Sequence, residues 1–538
     1  MMPINKFPYG IIEHNDNPAI ELFGKRLFAD QSPLEFLIEF LLVINSPKQV
    51  DSEKFERPFP SLETLAAWGD TELKYSPKSR LNLKLFSFLG ASRLDSRHET
   101  HRQHYKELLE SLRNNIKVTE TGSEADVLRT LENLFLGFQG VGSGRTWCAQ
   151  SFLPICKGFL AGETIWSESV ARRSNPASWS DSVASHEKYF ASNKKLFLAR
   201  GGEVLYLQVC NALRQKPSEV KQWVKDSGVE IEPKEQDPIA LHASLQQELE
   251  KLFLHCPNTV TEIAEFIDSG VEPETAFATD FINGEKEKPR YVTAGWCAAE
   301  SWKEGYIFAV ELLRLCKADL DIIERLRLLE TACSMQVLRT LAAQSARHYS
   351  LGNEVSWPGY RFAVSAPEGG EPGVKRISRH TAKLAEKLIY GAIRSKDAMS
   401  ETEDEERRNN SLRKVDKGYG GKLFMSLSKR IGLLIPRRGP GVRFTLNEQL
   451  LRMLVVTTVP VGGRLTYDKF KELVEARHGL VFDADGFARA SKWLDGNEHF
   501  VKTGIDSWLK EMLDAAGLLI HLSDSCALVE NPAQGKVA

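Results

Sequence analysis

The chain lacks any apolar run long enough to cross a membrane. The longest, Phe36 to Ile44, contains Glu39 and falls well short of the roughly 20 residues a membrane helix needs. No two of its eight cysteines have C-x-x-C spacing. Cys148, Cys156, Cys210, Cys256, Cys297, Cys316, Cys333 and Cys526 are scattered, mostly beside apolar residues. That pattern predicts free thiols in a reducing, cytoplasmic setting, with no disulfide framework, no zinc site and no other metal. The opening Met1-Met2-Pro3-Ile4-Asn5-Lys6 is not followed by an apolar core and a small-residue cleavage site, so no secretory signal is expected. Internal repetition is absent too: Trp-Cys-Ala recurs at 147–149 and 296–298, but its flanks differ. No complete catalytic signature and no cofactor motif can be read.

What is present is ordinary globular material. With 538 residues, 42% hydrophobic and 26% charged, the chain has enough apolar surface for more than one core, and about 150 residues per domain gives three to four units. The expected fold is mainly α: a helical multidomain body with a C-terminal winged-helix-like α+β module. The expected division is 1–200, 201–364, a loop, helix and acidic linker over 365–411, and 412–538.

Helix signals dominate. Ser32-Pro33-Leu34-Glu35 supplies a hydroxyl cap, a first-turn proline and a first-turn glutamate, which together start a helix; Ser46-Pro47 stops it. Further helices are expected after Gly122-Ser123 and at 241–254, 260–268, 299–316, 319–346 and 378–395. Glu203 to Val209 is the best strand candidate. Residues 365–374 are too rich in proline and glycine for a helix. Ser400 to Asn410, with five acids and no aliphatic residue, reads as a mobile, solvated linker.

Three patterns invite a chemical reading. Gly142, Gly144, Arg145 and Thr146 approximate the end of a phosphate loop, with arginine for lysine and Gln139 where the first glycine belongs. A turn between helices is expected there, with a degenerate nucleotide site as the rival. His98, His101 and His104 recur every third residue and spread over about 120° of a helix. Arg93, Arg97, Arg102 and Lys106 surround them and oppose a cation, so a solvated basic face is expected. His478 and His521 have no readable partner.

Charge is the most informative signal. Residues 411–538 carry 19 Lys/Arg against 14 Asp/Glu, a net of +5, while the first 410 carry 51 against 58, a net of −7. The excess concentrates in 411–443, where Arg413, Lys414, Lys417, Lys422, Lys429, Arg430, Arg437, Arg438 and Arg443 face one acid, Asp416. Tyr419, Phe424 and several glycines interleave with them. A flexible chain of this density can follow a phosphate backbone by releasing counterions; docking to a partner protein is the competing reading.

Beyond it, helices are expected at 446–459, 467–477, 486–494 and 505–516, then a hairpin from Leu518–Leu522 to Cys526–Val529. This order of elements, over about residues 445–531, resembles a winged-helix domain. Winged helices commonly place the helix before the wing in the DNA major groove, but here that helix bears Asp506, Glu511 and Asp514 against Lys510, which phosphates would repel. In general character, through Ile431-Gly432-Leu433-Leu434-Ile435-Pro436-Arg437-Arg438-Gly439 and the C-terminal residues beyond it, the chain is similar to large accessory subunits of bacterial phage-defence gene clusters. That resemblance implies a non-catalytic, DNA-associating or scaffolding subunit. Its expected partners are double-stranded DNA and a separate ATPase or nuclease, with no membrane. An enzyme whose site is assembled from dispersed residues is the alternative.

Overall fold

The computed structural model describes residues 4–10, 17–24, 27–29, 31–50, 53–69, 72–80, 153–160, 162–163, 165–166, 190–191, 201–254, 291–350, 356–399, 405–496, 502–523 and 526–532. Within them the chain is predominantly helical, with several small sheets. The phosphate-loop-like residues Gly142, Gly144, Arg145 and Thr146, the His98–His104 series and the expected helices near 124 and 260 lie outside the described residues.

The N-terminal helices are α1 (Pro18–Phe23), α2 (Pro33–Asn45) and α3 (Leu62–Ala67). The start of α2 is the expected one: the Glu35 amide donates to Ser32 Oγ at 3.2 Å, and the Ser32 amide donates to the Glu35 carboxylate. Next come α4 (Gly201–Leu213), α5 (Pro217–Ser227), α6 (Pro238–Lys251), α7 (Trp302–Lys317) and α8 (Ile322–His348). The C-terminal third holds α9 (Pro372–Ile393), α10 (Glu405–Gly418), α11 (Gly420–Arg430), α12 (Glu448–Thr458), α13 (Tyr467–His478), α14 (Ala484–Asp495) and α15 (Ser507–Ala515).

Every residue of α4 is buried, because α2 lies on one side of it and α7 on another. This corrects the strand expected over Glu203–Val209. A helix enclosed all round has no polar stripe, so its sequence loses the 3.6-residue signature. Its one early acid is also enclosed: the Tyr75 hydroxyl donates to Glu203 Oε2 at 2.7 Å and the Gly295 amide to Oε1 at 2.5 Å. Glycine makes this packing possible. A Cβ on Gly202 would come within 2.7 Å of the Phe36 carbonyl oxygen, and one on Gly305 of α7 would land on the Gln208 backbone carbonyl.

Strands are two to four residues long. Glu53–Phe55, Lys48–Val50, Leu73–Tyr75 and Val292–Thr293 form one antiparallel sheet in that order, with Lys48 opposite both Phe55 and Tyr75. Phe362–Ala363 pairs in parallel with Leu480–Val481. The expected C-terminal hairpin forms between Leu519–His521 and Ala527–Glu530, and Arg464–Thr466 adds a third strand beside the last.

One hydrophobic cluster runs from Ile4 through α4, α7 and α8 to Val529. The C-terminal third is tied to this body by Arg314 of α7, which donates to the last carbonyls of α12, Thr457 at 3.0 Å and Thr458 at 2.6 Å, while pairing with Glu235.

Two further expectations change. Residues 405–410 are not an unstructured linker but the exposed first turns of α10. Their composition is as polar as a linker's, and the helix is held from its other end by Val415 and Gly418. Helix α9 also begins earlier than expected, at Pro372, because proline fits a helix's first turn.

Candidate nucleic-acid interface

The basic segment 411–443 is folded rather than a flexible chain. Helix α10 turns Val415 inward and leaves Arg413, Lys414 and Lys417 exposed. Its end docks on the N-terminal region: the Ala29 amide donates to the Gly418 carbonyl at 2.7 Å, and Tyr419 meets Phe28 edge-on at 4.9 Å. Helix α11 buries Leu423, Phe424 and Leu427, and leaves Lys422 exposed and Lys429 half-buried. Arg430 donates to the Gln31 carbonyl at 2.6 Å.

The rest of the segment is a hairpin, Leu434–Ile435 paired with Arg443–Phe444. Its base is fixed. Phe444 stacks on Phe362 at 4.5 Å, and its amide donates to Ser378 Oγ of α9 at 2.9 Å. Arg443 donates to Ser365 Oγ and the Ala366 carbonyl, both at 2.7 Å, and to the Pro367 carbonyl at 2.8 Å. Arg437 and Arg438 stand exposed in the loop between the strands.

The nine basic residues named from the sequence therefore divide. Arg413, Lys414, Lys417, Lys422, Arg437 and Arg438 present their charge to water, and Lys429 does so in part. Arg430 is exposed but also donates to the Gln31 carbonyl, and Arg443 spends its charge on Ser365 and two backbone carbonyls. Burial, and then the charge of Arg379, lowers the Arg443 pKa from its ordinary value, so this guanidinium already sits beside a second cation.

Arg379 belongs to a feature that is hard to see in the linear sequence. Helix α9 buries Val374, Ile377, Thr381, Leu384, Leu388 and Ile389. Its opposite face exposes Arg376, Arg379, Lys383, Lys387 and Tyr390. At about 100° per residue these five fall within one stripe roughly 80° wide. The helix contains a single acid, Glu386, and none of the four cations forms an ion pair among the described residues. A helical wheel over 372–393 finds this stripe; along the chain its cations are diluted by the buried apolar positions between them.

Helix α9 also joins the two basic ends. Near its start, Arg379 Cδ lies 3.9 Å from where a Cβ would stand on Gly441 of the hairpin loop. Just past its end, Arg394 pairs with Asp416 of α10 at 2.7 Å and covers the Tyr390 ring at 3.4 Å. The hairpin loop thus meets the stripe near the start of α9, and α10 meets the residue just past its end.

Two residues read from the sequence as a surface acid and a lone histidine are interior. Asp506, expected to repel phosphates, is buried, accepting from Tyr467 Oη and Lys471 Nζ at 2.9 Å each. His478 is fully enclosed, with Arg339 of α8 and Glu311 of α7 as partners. His521, also expected alone, lies 3.4 Å from Asp514 at the surface. Of the described cysteines, Cys210, Cys297, Cys316 and Cys333 are buried free thiols, Cys156 is buried and Cys526 is exposed.

Among the described residues no group of three or more His, Cys, Asp or Glu is placed to hold a metal ion, and no helix is long and apolar enough to cross a membrane. No family model, no curated protein and no solved structure matches this chain.

Proposed function

We propose that this protein is a non-catalytic DNA-associating subunit that holds DNA for a separate ATPase or nuclease, in the manner implied by its likeness to phage-defence accessory subunits. The observation that carries the reading is the row of cations on α9, free of ion pairs among the described residues and met at Arg379 by the hairpin loop that bears Arg437 and Arg438. Such a row neutralises phosphates without reading bases, so binding is sequence-independent and salt-sensitive.

The C-terminal region supports a division of labour. Its order of α12, strand, α13, α14, α15 and hairpin, with strands arranged 464–466, 527–530, 519–521, favours a winged-helix-like module. Its α15 exposes both Glu511 and Asp514 on one face. We assign this module to the partner protein and the basic surface to DNA.

The test is binding of unrelated DNAs by wild type and by the double variant Arg437→Glu/Arg438→Glu across a salt series. About six phosphate contacts imply a slope of log affinity on log salt of about −4 to −5.5. The variant should bind more weakly to every sequence, with a flatter slope and unchanged melting. Unchanged affinity and slope, with loss of a co-purifying protein instead, would overturn the DNA reading.

A further inference from the structure

Tyr390 is a large ring left 52% exposed at the end of a line of cations. Its neighbours fix it in place. The Arg394 guanidinium lies over the ring at 3.4 Å, and Asp416 of α10 holds that guanidinium at 2.7 Å. Arg394 covers one face, and the residue as a whole remains 52% exposed, so part of the side chain is open to a ligand. No hydrogen bond engages the hydroxyl among the described residues. The ring continues the row of Arg376, Arg379, Lys383 and Lys387, and from Arg376 to Arg394 the row is about 27 Å long at 1.5 Å per residue.

We infer that the strand lying along α9 is single-stranded nucleic acid, its phosphates on the cations and one base stacked on Tyr390. This rests on the nucleic-acid reading of the basic surface and names the form of ligand that surface takes. The chemistry separates the two forms. In a duplex each base is stacked and paired internally and offers no free π-face to an external ring. Single-strand sites combine a cationic track with aromatic platforms, and stacking tolerates any sequence because every base has a π-face. A narrow single file of charge also suits one backbone better than the two phosphate rows of a duplex. Glu386 borders the file and helps confine the strand to it.

The experiment compares poly-dT with an unrelated duplex, using the full chain and four proteins: wild type, Tyr390→Ala, Tyr390→Phe and Lys383→Glu/Lys387→Glu. Melting curves accompany each, and the exposed positions leave them unchanged. Wild type should prefer poly-dT. Tyr390→Ala should lose about ten- to hundredfold on poly-dT, the range expected for one lost stack, and little on the duplex. Tyr390→Phe, which keeps the π-face, should retain wild-type affinity. The lysine variant should weaken both ligands. If Tyr390→Ala binds poly-dT like wild type, or loses equally on both ligands, the stacking inference is overturned while the basic-surface reading stands. If the lysine variant binds both as wild type does, the reading beneath it falls as well.

Discussion

Arg339 Nη2 lies 3.1 Å from Nδ1 of His478. Arginine only donates, so Nδ1 must accept, and the imidazole is neutral with its proton on Nε2. That nitrogen is 3.2 Å from Glu311 Oε1, which also pairs with Arg339 at 2.6 Å. All three side chains are buried. Burial alone would raise the Glu311 pKa, but the Arg339 charge, and then His478, outweigh it and hold the carboxyl down to about 2. The cluster locks α7, α8 and α13 together.

Removing one member of this cluster should be costly. Arg339→Met leaves Glu311 charged and unpaired in the interior, and breaking a buried pair in this way costs about 3–5 kcal/mol. The paired change Arg339→Met/Glu311→Leu removes both charges and should recover much of the loss. Urea midpoints of the two variants check this; equal losses would mean that the charges are not coupled.

Buried His478 and half-buried His348 should give opposite pH signatures. Burial, then the Arg339 charge, lowers the His478 pKa below its usual 6.5. The unfolded chain then takes up a proton that the folded chain refuses, and stability falls as pH drops below 6.5. His348 differs. Its Nε2 lies 2.5 Å from Glu300 and its Nδ1 3.1 Å from Asp397. Burial opposes protonation there, but those two hydrogen bonds win and raise its pKa. Its contribution is full below the unfolded value of 6.5 and is lost as pH rises through the folded value. Glu300 is shifted the other way: burial would raise it, the His348 bond lowers it below 4.5, and its contribution fades as pH falls. The His348 clasp is therefore strongest between about 4.5 and 6.5. Melting curves of His348→Gln should differ from wild type most in that window and converge above it. For His478→Gln the gap to wild type should narrow as pH falls below 6.5. A His348→Gln deficit that grew above pH 7 would contradict the assignment.

These sites show what the sequence could and could not reveal. Helix α2 was legible because its cap lies within four residues: serine, proline and glutamate report locally. His478 looked solitary because Arg339 lies 139 residues away in the chain. Helix α4 read as a strand because enclosure erased its periodicity. The hairpin arginines were legible as a dense run of charge. The α9 stripe was spread over four turns, and the denser run at 411–443 masked it. Arg443 resembled a phosphate contact by type, yet its three acceptors become apparent only when the hairpin folds onto residues 365–367.

Close helix packing supplies another test. Gly305→Ala would place a methyl group on the Gln208 carbonyl of α4. Neither backbone can yield without disturbing the α4–α7 contact at the centre of the core, so overpacking should cost about 1–3 kcal/mol or more. Gly228 is the control: a Cβ there meets nothing within 4 Å, although its φ of +70° adds a modest backbone strain. Denaturation should find Gly305→Ala the more damaging; the reverse order would argue against the tight α4–α7 approach.

The hairpin separates support from contact. Arg443 and Arg437 are six residues apart in one basic segment, but they should respond differently to loss. Arg443→Ala leaves Ser365 Oγ and the Ala366 and Pro367 carbonyls without their donor, and the hairpin base beside Phe444 loosens. Unsatisfied groups of this kind cost about 1–3 kcal/mol, so the melting temperature should fall. Affinity for DNA should fall with it, because Arg437 and Arg438 lose their fixed placement. Arg437→Ala removes an exposed side chain, for which stability changes are usually within about 0.5 kcal/mol. It should lower affinity by one phosphate contact, with the salt slope reduced by about 0.7 to 0.9, and leave melting unchanged. Arg443→Lys provides the discriminating case. It keeps the positive charge but loses the fork that reaches three acceptors at once. If Arg443 served mainly as a phosphate contact, lysine would restore both affinity and slope. Because its role is to brace the hairpin, lysine should restore neither the melting temperature nor the affinity in full.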